Sequence, residues 1–268
     1  MAHVKADKVA TKVQGIRADE PGSAHSRESE MRPQETALPP TKCTPPTSPI
    51  NERVASLVSG RLPRPRLFAT DMATRCHLLR APTGYGKSVA MAQYWAEQRH
   101  ACAATAWVSI EQFGRDPQLL AEPIYEQISA TSQSALHSTP PSRLRERPSN
   151  LHELADWLGE IRYPPGSKIL ICLDDLEFGW HSIDQIEDFM LAAPGEVEFI
   201  VATSADVGFA RMKARQAVRE LRGDALAFTF DEAKAVACRR ERPIVSETEI
   251  HSLWKRTEGW PEIFCLLI

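Results

Sequence analysis

The chain has 268 residues, 43% hydrophobic and 25% charged, with a formal net charge of −3. That balance suits one α/β domain with an appendage, or two small domains, and it lacks the basicity that would point to nucleic acid or an anionic membrane. No apolar run approaches the roughly 18 residues of a membrane-spanning helix, and the opening MAHVKADKVATKVQGIR lacks the apolar stretch of a secretory signal.

Residues 1–50 contain no aromatic side chain and are dense in Pro, Ser, Thr, Glu and Lys. Such a segment buries too little apolar surface to offset its ordering entropy, so disorder is expected there. From about residue 50, strand-like and helix-like segments alternate. Residues 76–80 read as a strand, 88–99 as a helix with Val89, Ala92, Trp95 and Ala96 on one face, 104–110 as a strand and 118–128 as a helix. The polar stretch 138–150 reads as a loop, 151–161 as a helix and 168–173 (KILICL) as a central strand buried on both faces. A helix at 183–192, a strand at 199–203, an Arg-rich helix at 209–221 and a short strand at 226–228 follow, then helices at 231–238 and 247–256. Strands separated by helical crossovers imply a doubly wound parallel sheet, whose ligands bind at the carboxyl ends of its strands.

The six cysteines, Cys43, Cys76, Cys102, Cys172, Cys238 and Cys265, form no CxxC pair. They offer neither a zinc site nor a disulfide framework, which suits a reducing cytoplasm, and each is expected as a small buried hydrophobe.

Three features carry chemistry. Ala81-Pro82-Thr83-Gly84-Tyr85-Gly86-Lys87-Ser88 has the spacing of a P-loop, with Ala81 at the first Gly position. Its backbone N–H groups and the following helix N-terminus would hold the phosphates of ATP or a related nucleoside triphosphate. Lys87 would reach the β and γ phosphates, and Ser88 would ligate Mg²⁺. Ile169 to Leu173 run into Asp174 and Asp175, a strand ending in two carboxylates. Asp174 would hold Mg²⁺ through water and Asp175 would polarise an attacking water, with Glu177 as a secondary candidate. Thr203 and Ser204 end the next strand, where a γ-phosphate contact and a plain strand-to-loop turn are both open readings. Arg211, Lys213, Arg215, Arg219 and Arg222 cluster on the predicted 209–221 helix and its end, and read as a solvated face.

In this order the motifs resemble the N-terminal ATPase module of MalT-like regulators, large ATP-binding transcription factors of the LuxR type within the STAND class of signal-transducing P-loop ATPases. Residues 78–88 look like "APAGYGKT" with its preceding strand, Gln93 to Ala96 like "QWA", and Ala106 to Glu111 with Asp116-Pro117 like "WLSLDEGDNDP". Leu173-Asp174-Asp175 matches "LDD", the run from Arg219 to Ala233 resembles "ELR…LRFTPEEA", and Thr257 to Pro261 looks like "TEGWP". The resemblance implies that Pro261 contacts adenine, that ATP favours an assembly-competent, self-associating state and that ADP favours a resting one.

The sequence departs from that pattern at Ala205, where the family commonly has Arg, and at Glu177, where it often has His. The winged helix, sensor and helix-turn-helix of such regulators have no counterpart before Ile268, and the apolar run 263–268 is expected to need a following element to cover it. A fragment or a curtailed product is therefore expected.

The resulting expectation is a disordered extension at 1–50, a STAND-like P-loop NTPase domain at 51–230 and the start of a helical subdomain at 231–268. Its role would be a cytoplasmic nucleotide switch binding ATP or ADP with Mg²⁺, at most a slow ATPase, with no membrane and no direct DNA contact. The competing readings are a catalytic P-loop ATPase or small-molecule kinase, and a degenerate interaction protein that retains only the fold.

Overall fold

The computed structural model describes residues 49–69, 74–113, 116–132, 147–176, 183–239 and 246–268. All of them fall in one compact unit, Pro46–Ile268. The expected disorder before residue 49, Cys43, most of the 138–150 loop and Glu177 lie outside the described residues.

Five strands form one parallel sheet: β1 (Cys76–Arg80), β2 (Cys102–Ser109), β3 (Lys168–Asp174), β4 (Val197–Thr203) and β5 (Val218–Arg222), in the order β2-β3-β4-β1-β5. Side chains alternate between faces along each strand, so each face builds its own core. On one face Leu78, Val108, Ile171, Leu173, Phe199 and Val201 pack with α3 (Ala121–Ser132), α4 (Leu151–Glu160), α5 (Ile183–Ala192) and α6 (Ala210–Ala214). On the other, Leu79, Trp107, Leu170, Cys172, Ile200 and Leu221 meet α1 (Pro49–Val58), α2 (Lys87–Gln98) and α7 (Gly223–Leu226). Helices on both faces of an all-parallel sheet make this a doubly wound α/β fold. The crossover α2 leaves β1 on the face opposite to α3, α4 and α5. That places the topological switch beside β1.

The predicted 209–221 helix is replaced by two elements. Helix α6 stops at Ala214, Gln216 turns the chain with φ 55, and Val218–Arg222 becomes the edge strand β5. An edge strand with half-buried charged side chains has no apolar alternation to reveal it, and its arginines at mixed spacing mimic a polar helix face. The strand expected at 226–228 is likewise absent: Leu226 ends α7, and Phe228 joins a separate small core.

That core is built by α8 (Phe230–Cys238), α9 (Glu247–Thr257) and α10 (Pro261–Leu267), with Phe228, Ala233, Ile250 and Phe264 buried inside it. Capping boxes start two of these helices, Thr229 with Glu232 and Ser246 with Glu249. Pro261 opens the third, where its missing N–H costs nothing. Two arginines tie this part to the strand-helix layers. Arg64, 6% exposed, donates to the carbonyls of Leu226 (2.6 Å) and Ala227 (3.0 Å), and Arg66 pairs with Glu232 at 2.7 Å. In the apolar run 263–268, Phe264 is buried while Leu266 and Leu267 remain exposed.

Of the cysteines, Cys76 and Cys172 are buried as expected, Cys102 and Cys265 are half-buried, and Cys238 is exposed. No helix among the described residues is long and apolar enough to cross a membrane.

Candidate functional site

Strand β1 delivers the chain into the loop at Ala81 to Gly86, and α2 begins at Lys87. The turn needs left-handed backbone at Gly84 (φ 87) and Gly86 (φ 76), which glycine adopts without the steric cost of a Cβ. The Ala81 N–H donates to the Thr203 carbonyl at 3.2 Å, anchoring the loop's start to β4. The Lys87 ammonium donates back to the carbonyls of Ala81 (2.8 Å) and Pro82 (3.2 Å), across the concave side of the loop.

The fold brings Asp174, at the end of β3, against this loop. Its Oδ1 accepts a hydrogen bond from the Ser88 hydroxyl at 3.0 Å, and its Oδ2 lies 3.3 Å from the Arg53 guanidinium on α1. The carboxylate is 1% exposed. Burial first, and the neighbouring Asp175 charge second, push its pKa up to about 6, while the contacts with Ser88 and Arg53 pull the other way. Asp175 adopts the left-handed region at φ 58, uncommon for a residue with a Cβ, and its carboxylate accepts from the Ser109 hydroxyl at 2.9 Å. Arg53 also lies over the Trp107 ring, 5.6 Å from its centroid.

A hydroxyl and a carboxylate are hard oxygen donors, and Mg²⁺ takes one or two such protein ligands beside phosphate oxygens and water. No cluster of three His, Cys, Asp or Glu side chains suited to a metal occurs among the described residues. Ser88 and Asp174 therefore fit a Mg²⁺ that arrives with a nucleotide better than an all-protein cage.

The C-terminal helices meet the same loop. Trp260 stacks on Tyr85, ring centroids 5.1 Å apart at 27°, and the Glu262 N–H donates to the Gly84 carbonyl at 3.1 Å. Gly259 (φ 71) accepts from the Phe228 N–H at 2.7 Å, fixing the turn before Pro261. Pro261, which follows Trp260, is buried.

The Thr203 hydroxyl has a backbone partner within its own turn. It accepts from the Ala205 N–H at 3.0 Å, a strand end closing into a turn. Ser204 lines a cavity of about 320 Å³ with Arg80, Ala81, Pro82, Asp206 and Arg222. The basic cluster is divided between the α6 region and β5, and Arg211, Lys213 and Arg222 are paired with acids. Arg211 pairs with Glu187 at 3.0 Å and with Asp188, while Lys213 and Arg222 each lie 3.1 Å from Glu220. Sequence reasoning missed Arg53, Ser109 as a partner of Asp175, and the contacts of Trp260 and Glu262 with the loop.

A parallel sheet in this order, with a glycine-rich loop running from an internal strand into a helix and the aspartate that ends β3, beyond the intervening β4, bonded to that helix, defines a P-loop NTPase fold. Over about four fifths of its length the chain is homologous to large ATP-binding regulators of the LuxR type. AlkS of Pseudomonas putida, an HTH-type transcriptional regulator, is 33% identical over 227 residues, which span 81% of this chain and 25% of that protein. MalT of Vibrio cholerae, also an HTH-type transcriptional regulator, is 23% identical over 223 residues, 76% of this chain and 23% of that protein. The chain thus spans about a quarter of the length of these relatives. Among solved structures, AMPPCP-bound DnaA from Aquifex aeolicus overlaps 81% of this chain and 58% of its own at 14% identity, with a TM-score of 0.41. No family model matches the sequence.

Proposed function

We propose that this chain is a nucleotide-switch module of a LuxR-type transcriptional regulator, binding ATP or ADP with Mg²⁺ at the loop from Ala81 to Ser88. The observation that carries this reading is the 3.0 Å hydrogen bond between Ser88 and Asp174, which brings two distant motifs together beside the Lys87 ammonium. In the proposed complex the loop N–H groups and Lys87 hold the phosphates, Lys87 giving up its two carbonyl acceptors to do so. Ser88 and Asp174 hold the metal, which supplies charge neutralisation at the phosphates when bound. In this reading Asp175, whose carboxylate accepts from Ser109, orients a water, and Pro261 with Trp260 borders the base. Domain limits at 51–230 and 231–268 follow the same reading, with the helical part docking on the loop so that nucleotide identity biases its position.

The Ser109–Asp175 contact favours one second reading, a slow ATPase, because a held carboxylate at a strand end is what water activation needs. Ala205 brings no charge to the strand end beside it. Self-association in the ATP state, a cytoplasmic location and the absence of direct DNA contact by this chain belong to the same proposal. Calorimetric titration of the full chain with MgATP and MgADP, with phosphate release assayed in parallel, tests it. Saturable binding with negligible release supports the switch, rapid turnover supports the enzyme, and no binding at millimolar nucleotide contradicts both.

A further inference from the structure

We propose that Arg53 is a tethered cation on the metal position: it neutralises Asp174 while the site is empty, and Mg²⁺ arriving with a nucleotide displaces it. The proposal rests on the nucleotide reading above and adds a regulatory element to that site. Asp174 is 1% exposed, and a carboxylate charge buried at a strand end needs compensation. The Ser88 hydroxyl and the Asp175 N–H (3.2 Å) give it hydrogen bonds, and Arg53 gives it opposite charge at 3.3 Å. Arg53 comes from α1, outside the sheet, and while it faces Asp174 its guanidinium also lies over the Trp107 ring, 5.6 Å from the centroid. The Arg53 side chain is 38% exposed, so it has room to leave.

A metal within reach of both Ser88 Oγ and the Asp174 carboxylate would sit beside the guanidinium. Two like charges sharing one carboxylate repel, so the divalent ion wins the position and Arg53 withdraws. Helix α1 packs on α2 through Val54, which is 4% exposed. Metal loading would therefore be felt directly by the first helix of the P-loop domain.

The test compares wild type, Arg53→Gln and Arg53→Lys as full chains, measuring ATP affinity with excess Mg²⁺ and again in EDTA. The quantity read is the ratio of the two affinities, because the loss of one positive charge weakens nucleotide binding in both conditions. Arg53→Gln should raise that ratio about threefold to tenfold, the size expected for removing a partly buried competing ion pair. Arg53→Lys, which keeps the charge without the planar stack on Trp107, should fall between the two. Mg²⁺-dependent change in Trp107 emission, identified by subtraction of a Trp107→Phe chain, should be present in wild type and lost in Arg53→Gln. A ratio that is unchanged or lower in Arg53→Gln overturns the proposal and makes Arg53 a structural or phosphate-holding residue. Wild type that binds no nucleotide in either condition overturns the nucleotide reading itself, and this proposal with it.

Discussion

Trp260 stacks on Tyr85 with ring centroids 5.1 Å apart, so the turn before α10 rests on the loop that begins α2. Tyr85 packs against the core around α2, and its contact with Trp260 joins the Glu262–Gly84 hydrogen bond in linking the loop to the C-terminal helices. Trp260→Ala should lower stability by about 1–2 kcal/mol, the worth of a lost aromatic pair with partial burial. Trp260→Phe should recover most of it. Urea unfolding followed by far-UV circular dichroism reads the difference.

Gly84 and Gly86 share left-handed backbone but differ in surroundings. A Cβ at Gly84 would meet the Glu262 carboxylate and lie 2.6 Å from Trp260 Nε1, whereas one at Gly86 meets nothing within 4 Å. Gly86→Ala should cost about 1 kcal/mol of backbone strain. Gly84→Ala should cost more and also push α10 off the loop, seen as faster proteolysis of the chain beyond residue 239 in the Gly84 variant alone.

The raised pKa of Asp174 has a defined sign. In the folded chain it binds its proton up to about pH 6, against 3.8 for the ordinary side chain. Between these values the folded state holds more protons than the unfolded one, so this group's contribution to stability falls as pH rises from about 4 through 6. Asp174→Asn should flatten that slope and raise the melting temperature of the nucleotide-free protein at pH 7. The same variant should lose the extra stabilisation that Mg²⁺ gives over EDTA in the presence of ATP. A steeper fall in Asn than in wild type over this window would show that another group dominates.

Asp175 and Ser109 should separate binding from chemistry. Asp175→Asn should keep MgATP affinity within about twofold while lowering any phosphate release by roughly 100-fold, the usual scale for removing a catalytic carboxylate. Ser109→Ala should act in the same direction but more weakly, since it frees the carboxylate without removing it. Single-turnover phosphate release with saturating enzyme measures both.

The residues that declared themselves in the sequence are those whose contacts are local or whose pattern is periodic. The loop from Ala81 to Ser88 shows its glycines and lysine at fixed spacing, and KILICL announces a strand buried on both faces with its aspartates at the end. Strand β5 hid because Val218, Arg219 and Glu220 are only half-buried at an edge, where packing supplies little alternation. Arg53 hid for a different reason: its partner Asp174 lies 121 residues away, and nothing in PINERVASLV marks an arginine that reaches a sheet end. Trp260 and Pro261 drew notice only through the resemblance of their segment to "TEGWP", because a ring stacking on Tyr85 from a distant part of the chain leaves no trace in local spacing.

The most direct test of the nucleotide assignment is the thermal midpoint of wild type and Lys87→Ala, each with and without 5 mM MgATP, a concentration of about 100 Kd for a site near 50 μM. Stabilisation of wild type by about 2.7 kcal/mol, with little or none in the variant, is the expected result. Equal stabilisation of both chains would mean that the nucleotide binds elsewhere and that the loop from Ala81 to Ser88 is a structural turn.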